Sequence, residues 1–177
     1  ERFRSYFTRV NYIYSDKYLA SLSYRRDGSS VFGIDSKYGN FYAGSVGWRM
    51  SEEDFLIDSD VVNNLKLRMS YGLTGNKDYN LSSRDVELFP SIPLLGTDVY
   101  NTNAAFVALN IANPDLQWES LVEFNPGIDF GLFNNRITGS IDYYERTSKD
   151  LLLDNPVAST TGFSSALVNL GEVKNSG

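Results

Sequence analysis

The sequence predicts an all-β fold: an antiparallel up-and-down transmembrane β-barrel segment, about seven strands of a larger barrel. Three observations predict it. The first is parity. Successive side chains of a strand face opposite ways, so Trp118, Val122, Phe124, Ile128 and Phe130 share one face while Glu119, Glu123, Asn125 and Asp129 share the other. Likewise Leu65, Leu67, Met69, Tyr71 and Leu73 oppose Lys66, Arg68, Ser70, Gly72 and Thr74. The second is length: most extended segments reach the roughly 9 to 11 residues that cross a bilayer at a tilt, where sandwich strands run about 5 to 6. The third is that connections alternate between short and long, so short turns gather at one end and long loops at the other.

Period-2 alternation places extended segments at residues 3–14, 18–26, 40–50, 64–75, 116–132, 136–147 and 166–173. Ser15-Asp16-Lys17 makes a tight turn. Residues 27–39 form a longer loop and residues 51–63 an intermediate connection, opening with Ser51-Glu52-Glu53-Asp54. That string resembles a capping box and predicts a short helix at residues 52–57, with its acids stabilising the first turn rather than doing chemistry. Residues 76–115 are the longest excursion, Phe133-Asn134-Asn135 is tight again, and residues 148–165 are long. Asn tolerates positive φ, so Asn134-Asn135 suits a two-residue hairpin turn. Pro126 interrupts a strand pattern; lacking an N–H, it should sit at a bulge or leave a partner carbonyl unpaired.

Composition narrows the function. The chain has 177 residues, 42% of them hydrophobic, with 12 Tyr and 11 Phe but no His and no Cys. His-based triads, His or Cys zinc sites, cysteine nucleophiles and disulfides are thereby excluded, and no metal or cofactor site is expected. A net charge of -6 without a run of Lys or Arg argues against a nucleic-acid partner. No apolar stretch reaches the roughly 18 residues of a membrane helix, which is no argument against strands that cross. The start, Glu1-Arg2-Phe3-Arg4, lacks a signal-peptide pattern and the end, Lys174-Asn175-Ser176-Gly177, reads as a turn, so both ends are expected to lie inside a longer chain.

On the apolar parity stand Tyr6, Val10, Tyr12 and Tyr14, then Tyr18, Ala20, Leu22 and Tyr24, then Tyr42, Gly44, Val46 and Trp48, then Ile137, Gly139, Ile141 and Tyr143. None is charged, as a lipid-facing surface requires. Tyr12, Tyr14, Tyr18 and Trp48 fall near the shorter turns and Tyr24, Tyr42, Tyr71 and Trp118 toward the long loops, the pattern of two interfacial girdles. The opposite parity supplies the lumen-facing candidates Arg9, Asn11, Arg25, Arg49, Lys66, Arg68, Glu119, Glu123, Asp129, Arg136 and Asp142. Each also fits an ordinary water-facing wall with cross-strand ion pairs. Asp27-Gly28-Ser29-Ser30 carries one acid, too little for calcium, and is expected to shape its loop. In the long excursion Tyr79, Phe89, Tyr100 and Phe106 could stack on a sugar or meet a cap; packing within the loop is their ordinary role.

Six strings occur in order along the chain: Tyr24-Arg25-Arg26-Asp27-Gly28-Ser29-Ser30-Val31-Phe32-Gly33; Val46-Gly47-Trp48-Arg49-Met50-Ser51-Glu52-Glu53; Leu67-Arg68-Met69-Ser70-Tyr71-Gly72-Leu73-Thr74-Gly75-Asn76; Asn113-Pro114-Asp115-Leu116-Gln117-Trp118-Glu119; Asp129-Phe130-Gly131-Leu132-Phe133-Asn134-Asn135-Arg136; and Gly162-Phe163 followed by Asn169-Leu170-Gly171-Glu172. Together they closely resemble the SusC/RagA family of TonB-dependent outer-membrane transporters of Bacteroidota. The resemblance implies that residues 1–177 belong to the barrel domain, without the plug, the TonB box or a signal peptide. It implies import of a bulky glycan or peptide across the bacterial outer membrane. The implied partners are a SusD-like surface lipoprotein over the mouth, the TonB complex acting through other parts of the parent chain, and outer-membrane lipid. It implies no catalysis. Two other classes compete: a secreted carbohydrate-binding β-sandwich, and a carboxylate glycosidase built on Glu119 and Glu123.

Overall fold

The computed structural model describes residues 2–77, 89–100 and 103–177, with the backbone alone at Tyr100. Its strands are β1 (Phe3–Tyr14), β2 (Tyr18–Ser29), β3 (Tyr38–Arg49), β4 (Val62–Asn76), β5 (Leu95–Tyr100), β6 (Asn103–Ala108), β7 (Glu119–Leu132), β8 (Ile137–Asp142), β9 (Glu145–Lys149), β10 (Leu152–Pro156), β11 (Ser165–Asn169) and β12 (Glu172–Ser176). The main sheet runs β1-β2-β3-β4-β7-β9-β12, with β8 also paired to β7, and every pairing is antiparallel. Neighbours in sequence are neighbours in space, the up-and-down order that parity and turn lengths predict. The hairpins β5–β6 and β10–β11 form two further two-stranded sheets.

Pro126 explains the gap between β8 and β9. Gly127 faces Asp142 and Phe124 faces Glu145, so both strands keep one register against β7 and form a single lane broken only at Tyr143 and Tyr144. The Tyr143 N–H donates to the Pro126 carbonyl at 3.0 Å, and Pro126 has no N–H to return the bond. No bulge forms. Pro126 points its backbone polar groups toward Tyr143, so the β4 pairing runs through Met69↔Pro126 unshifted.

The same reasoning joins the last elements. Lys149 faces Glu172 and Leu152 faces Asn169 in one register, with the Leu170 N–H donating to the Leu151 carbonyl at 2.8 Å across the gap. At the break the opposed residues Asp150 and Gly171 both take positive φ, 55° and 88°. The run Ile137–Pro156 therefore has a contour length of about 65 Å at roughly 3.3 Å per residue, more than the ~30 Å hydrocarbon thickness needs even at a tilt. The region predicted as one long loop, 148–165, is thus mostly hairpin, and the expected strand 166–173 is the kinked junction of β11 and β12.

Three local expectations need correction. A single 3-10 turn, Met50–Glu52, replaces the helix at 52–57, and no side chain caps it; Glu53 is instead drawn into tertiary bonds. The β7–β8 turn covers residues 133–136 rather than two residues, with Phe133, Asn134 and Asn135 all at positive φ. The Phe133 N–H donates to the Val61 carbonyl at 2.8 Å and the Asn134 N–H to Asn63 Oδ1, bonds that offset the cost of left-handed Phe. Trp118 precedes β7, and the alternation does not extend to it. It is buried against Phe32, with ring centroids 4.7 Å apart, and against Phe41 at 5.5 Å.

The buried core, Val31, Phe32, Phe41, Leu116, Trp118, Leu152 and Leu167, lies at the long-loop end. Among the described residues nothing covers the apolar face of the main sheet: Tyr12, Leu22, Val46 and Ile141 are 61%, 63%, 52% and 66% exposed. A sandwich would bury that face under a second sheet. Among the described residues no helix is long and apolar enough to cross a membrane, which says nothing of crossing by strands.

Candidate functional site

The apolar face ends in aromatic rows. At the short-turn end Tyr14, Tyr18 and Trp48 form one, with Tyr18 stacked on Trp48 at 6.4 Å. Glu53 fastens this row: its carboxylate accepts from Tyr18 Oη at 2.7 Å, Trp48 Nε1 at 2.9 Å and Lys17 Nζ at 3.1 Å. The hydrogen bonds from Tyr18, Trp48 and Lys17 hold its pKa down to about 2. Tyr24, Tyr42 and Tyr71 mark the long-loop end, with Tyr24 Oη donating to Asn40 at 2.8 Å.

The opposite face carries the charges, and ion pairs stitch its strands together. Arg68 on β4 reaches Asp129 on β7 (Nε to Oδ1, 3.1 Å) and Asp142 on β8 (Nη2 to Oδ1, 2.6 Å). Gly127 leaves room for this bridge, since a Cβ there would come within 2.6 Å of Asp142 Oδ1. Glu123 pairs with Arg146 at 3.0 Å. Arg146 shares the parity of Asp142 but is not among the lumen-facing candidates the sequence supplies; charge pairing across β7–β9 is the signal that finds it. Toward the long loops Arg25 pairs with Asp27, which also accepts from Ser5 Oγ and is 2% exposed. Asp27 is thus held inside β2, opposite Ser5 and Gly39, rather than in a loop, and the loop expected at 27–39 narrows to residues 30–37.

Arg9, Asn11 and Lys66 line one hollow with Ser21, Ser45, Ser70 and Asn125. Ser21 and Ser45 share a hydrogen bond of 2.8 Å. Arg49 stands directly opposite Lys66, and Lys66 in turn opposite Asp129 on β7, so cations and acid share the short-turn end of this wall. Arg136 lies outside the strands, in the β7–β8 turn. Glu119 opens β7 beside Asn76 at the long-loop end. Four residue steps along β7 separate Glu119 from Glu123, about 13 Å at roughly 3.3 Å per residue. Paired glycosidase carboxyls stand about 5 to 9.5 Å apart. The charged face is a wall, not a catalytic dyad.

At the long-loop end three of the sequence strings form one knot. The Gly33 N–H donates to the Leu116 carbonyl at 3.0 Å, and a Cβ at Gly33 would lie 1.7 Å from the Pro114 carbonyl oxygen. Asn169 behaves as a strand neighbour for Gln117: its Oδ1 accepts from the Gln117 N–H at 2.9 Å and its Nδ2 donates to the Gln117 carbonyl at 2.8 Å. Asn113 Nδ2 donates to the Leu167 carbonyl at 3.1 Å. The strings around Gly33, Leu116 and Asn169 thus tie three separate loops into one rim.

Beyond the rim, β5–β6 shows one apolar face. Leu95, Val99 and Phe106 share it and are 69%, 70% and 79% exposed. Phe106 therefore does not pack within its loop, contrary to the ordinary expectation. Phe89 is 38% exposed. Tyr79 and the side chain of Tyr100 lie outside the described residues.

The family model for the TonB dependent receptor-like β-barrel matches residues 1–177. The chain belongs to the TonB-dependent receptor family. TonB-dependent receptor P39 of Formosa agariphila is 41% identical over 174 residues, covering 98% of this chain and 16% of the relative. TonB-dependent receptor SusC of Bacteroides thetaiotaomicron is 35% identical over 185 residues, covering 98% of this chain and 17% of SusC. The solved RagAB peptide transporter superposes with a TM-score of 0.86 at 31% identity, over 98% of this chain and 19% of that one. This TonB-dependent receptor chain therefore spans about one-sixth of the length of the curated relatives it matches.

Proposed function

We propose that the chain is a wall section of an outer-membrane importer for a bulky nutrient of the glycan or peptide class. The observation that carries this reading is an exposed sheet face that is uncharged across β1–β4 between two aromatic rows, backed by a polar wall whose β4, β7, β8 and β9 part is joined by ion pairs. Lipid would cover the first face; cargo and water would pass the second, the lumen wall. The rim and β5–β6 would face outside, and the exposed Leu95, Val99 and Phe106 face would meet a SusD-like surface lipoprotein. The TonB complex would act through other parts of the parent receptor, and no residue here is assigned a catalytic step. The RagAB peptide transporter, by name, supports transport by a relative of this wall.

The test uses cells carrying the full-length receptor. Phe106→Glu should cut cap binding and cargo uptake by roughly tenfold, the loss of one large apolar anchor, while the receptor still inserts as a folded barrel. Unchanged uptake would remove the cap role of this hairpin, and uptake that persists without TonB would overturn the transport reading.

A further inference from the structure

Arginines occupy the wrong face for a lumen wall. On β1–β3 the apolar parity runs through Tyr6, Val10, Tyr12, Ala20, Leu22, Tyr24, Tyr42 and Val46, and the same parity continues past the tyrosines into Arg4 on β1 and Arg26 on β2. Both cations therefore point outward, just above the row at the long-loop end. They are near neighbours: Arg4 faces Gly28 and Arg26 faces Tyr6, which sets the arginines diagonally across β1–β2 at roughly 7–8 Å between backbones.

Among the described residues neither forms an ion pair, and on its β2 side Arg4 faces only Gly28. Arg26 lies between β1 and β3, so its cross-strand partners, Tyr6 and Asn40, are both in view, and neither is acidic. No Asp or Glu occupies this parity anywhere in β1, β2 or β3. The acid next in sequence, Asp27, points the other way and is taken by Arg25 and Ser5. The Arg26 guanidinium rests 4.9 Å from the Tyr38 ring centroid, which orients it without consuming its charge. Cations immediately beyond an aromatic belt sit at the depth of lipid headgroups, where anionic groups concentrate.

We propose that Arg4 and Arg26 form an outward-facing site for the phosphate-bearing headgroup of an outer-leaflet lipid. The site rests on the membrane reading above, with β2–β3 loop residues outside. Bidentate guanidinium–phosphate pairing and stacking on Tyr38 make arginine, rather than lysine, the fitting residue.

The full-length receptor, embedded in nanodiscs of zwitterionic lipid, can be titrated with lipid A as the probe. The wild type should bind lipid A at least tenfold more tightly than its dephosphorylated form, and R4Q/R26Q should lose that preference. R26K should keep part of it. Arg9→Gln, on the opposite face of β1, should leave lipid A affinity unchanged. Equal affinity of R4Q/R26Q and wild type overturns the proposal. So does an equal loss in Arg9→Gln, or displacement of lipid A by inorganic phosphate at matching concentration. A wild-type receptor that fails to enter nanodiscs defeats the membrane reading itself, whereas an inserted receptor indifferent to lipid A phosphate defeats only this site.

Discussion

Gly33→Ala is expected to loosen the rim by about 1–3 kcal/mol, the range of overpacking against rigid neighbours. The added Cβ would stand 1.7 Å from the Pro114 carbonyl oxygen, which is backbone and cannot swing aside. Relief requires residues 113–118 to withdraw, and this breaks more than one contact. The Gly33 to Leu116 hydrogen bond goes first, Trp118 loses Phe32, and Asn169 loses its two bonds to Gln117. In the full-length receptor the change should appear as faster protease cleavage of the long loops, while the strands within the membrane stay protected. Wild-type cleavage rates would show that the three strings are not a cooperative knot. Gly162 offers a contrast, since its φ of 84° demands glycine for backbone reasons while nothing crowds it.

Val46→Arg should cost about 2–4 kcal/mol of folding free energy in lipid, and Ser45→Arg, its neighbour in sequence, close to nothing. Val46 stands on the uncharged face between Tyr42 and Trp48, paired to Ala20 and Met69, and 52% exposed. Ser45 pairs with Ser21 and Ser70 on the charged wall. The two substitutions add the same side chain at the same depth, and the modest strand-propensity difference between Val and Ser, within about 1 kcal/mol, is smaller than the expected gap. Urea titration of the receptor folding into zwitterionic vesicles measures both. Equal costs would indicate a face that touches water or protein instead of lipid.

Much of this was legible in the sequence because period-2 alternation is a local property. Leu65 to Leu73 and Phe124 to Phe130 announced both strands and both faces, and the register places each face as alternation requires. What stayed hidden depends on partners distant in sequence. Trp118 obeys the parity of β7 on paper, yet it lies one residue before the strand and is claimed by Phe32 and Phe41. Ser51-Glu52-Glu53-Asp54 looks like a helix start, but Lys17, Tyr18 and Trp48 compete for Glu53. The lane through Tyr143 and Tyr144 was predicted as one strand, and the structure shows why it reads as two: one missing N–H at Pro126. The kink at Asp150 and Gly171 needed both sides of a hairpin to be seen, and neither residue signals it alone. On the wall, Arg68, Asp129 and Asp142 were each foreseen, but their convergence on one bridge is a matter of register.

Alternate facing toward lipid and water is the central claim, and spin labels read it directly. Because this chain has no cysteine, single substitutions at Ser45, Val46, Met69 and Ser70 can each carry one nitroxide in the membrane-inserted receptor, provided its other segments are cysteine-free. Labels at Val46 and Met69 should collide more often with oxygen dissolved in the bilayer, and labels at Ser45 and Ser70 with a water-soluble nickel chelate. Accessibility that fails to alternate, or that alternates with the opposite sign, would contradict the account.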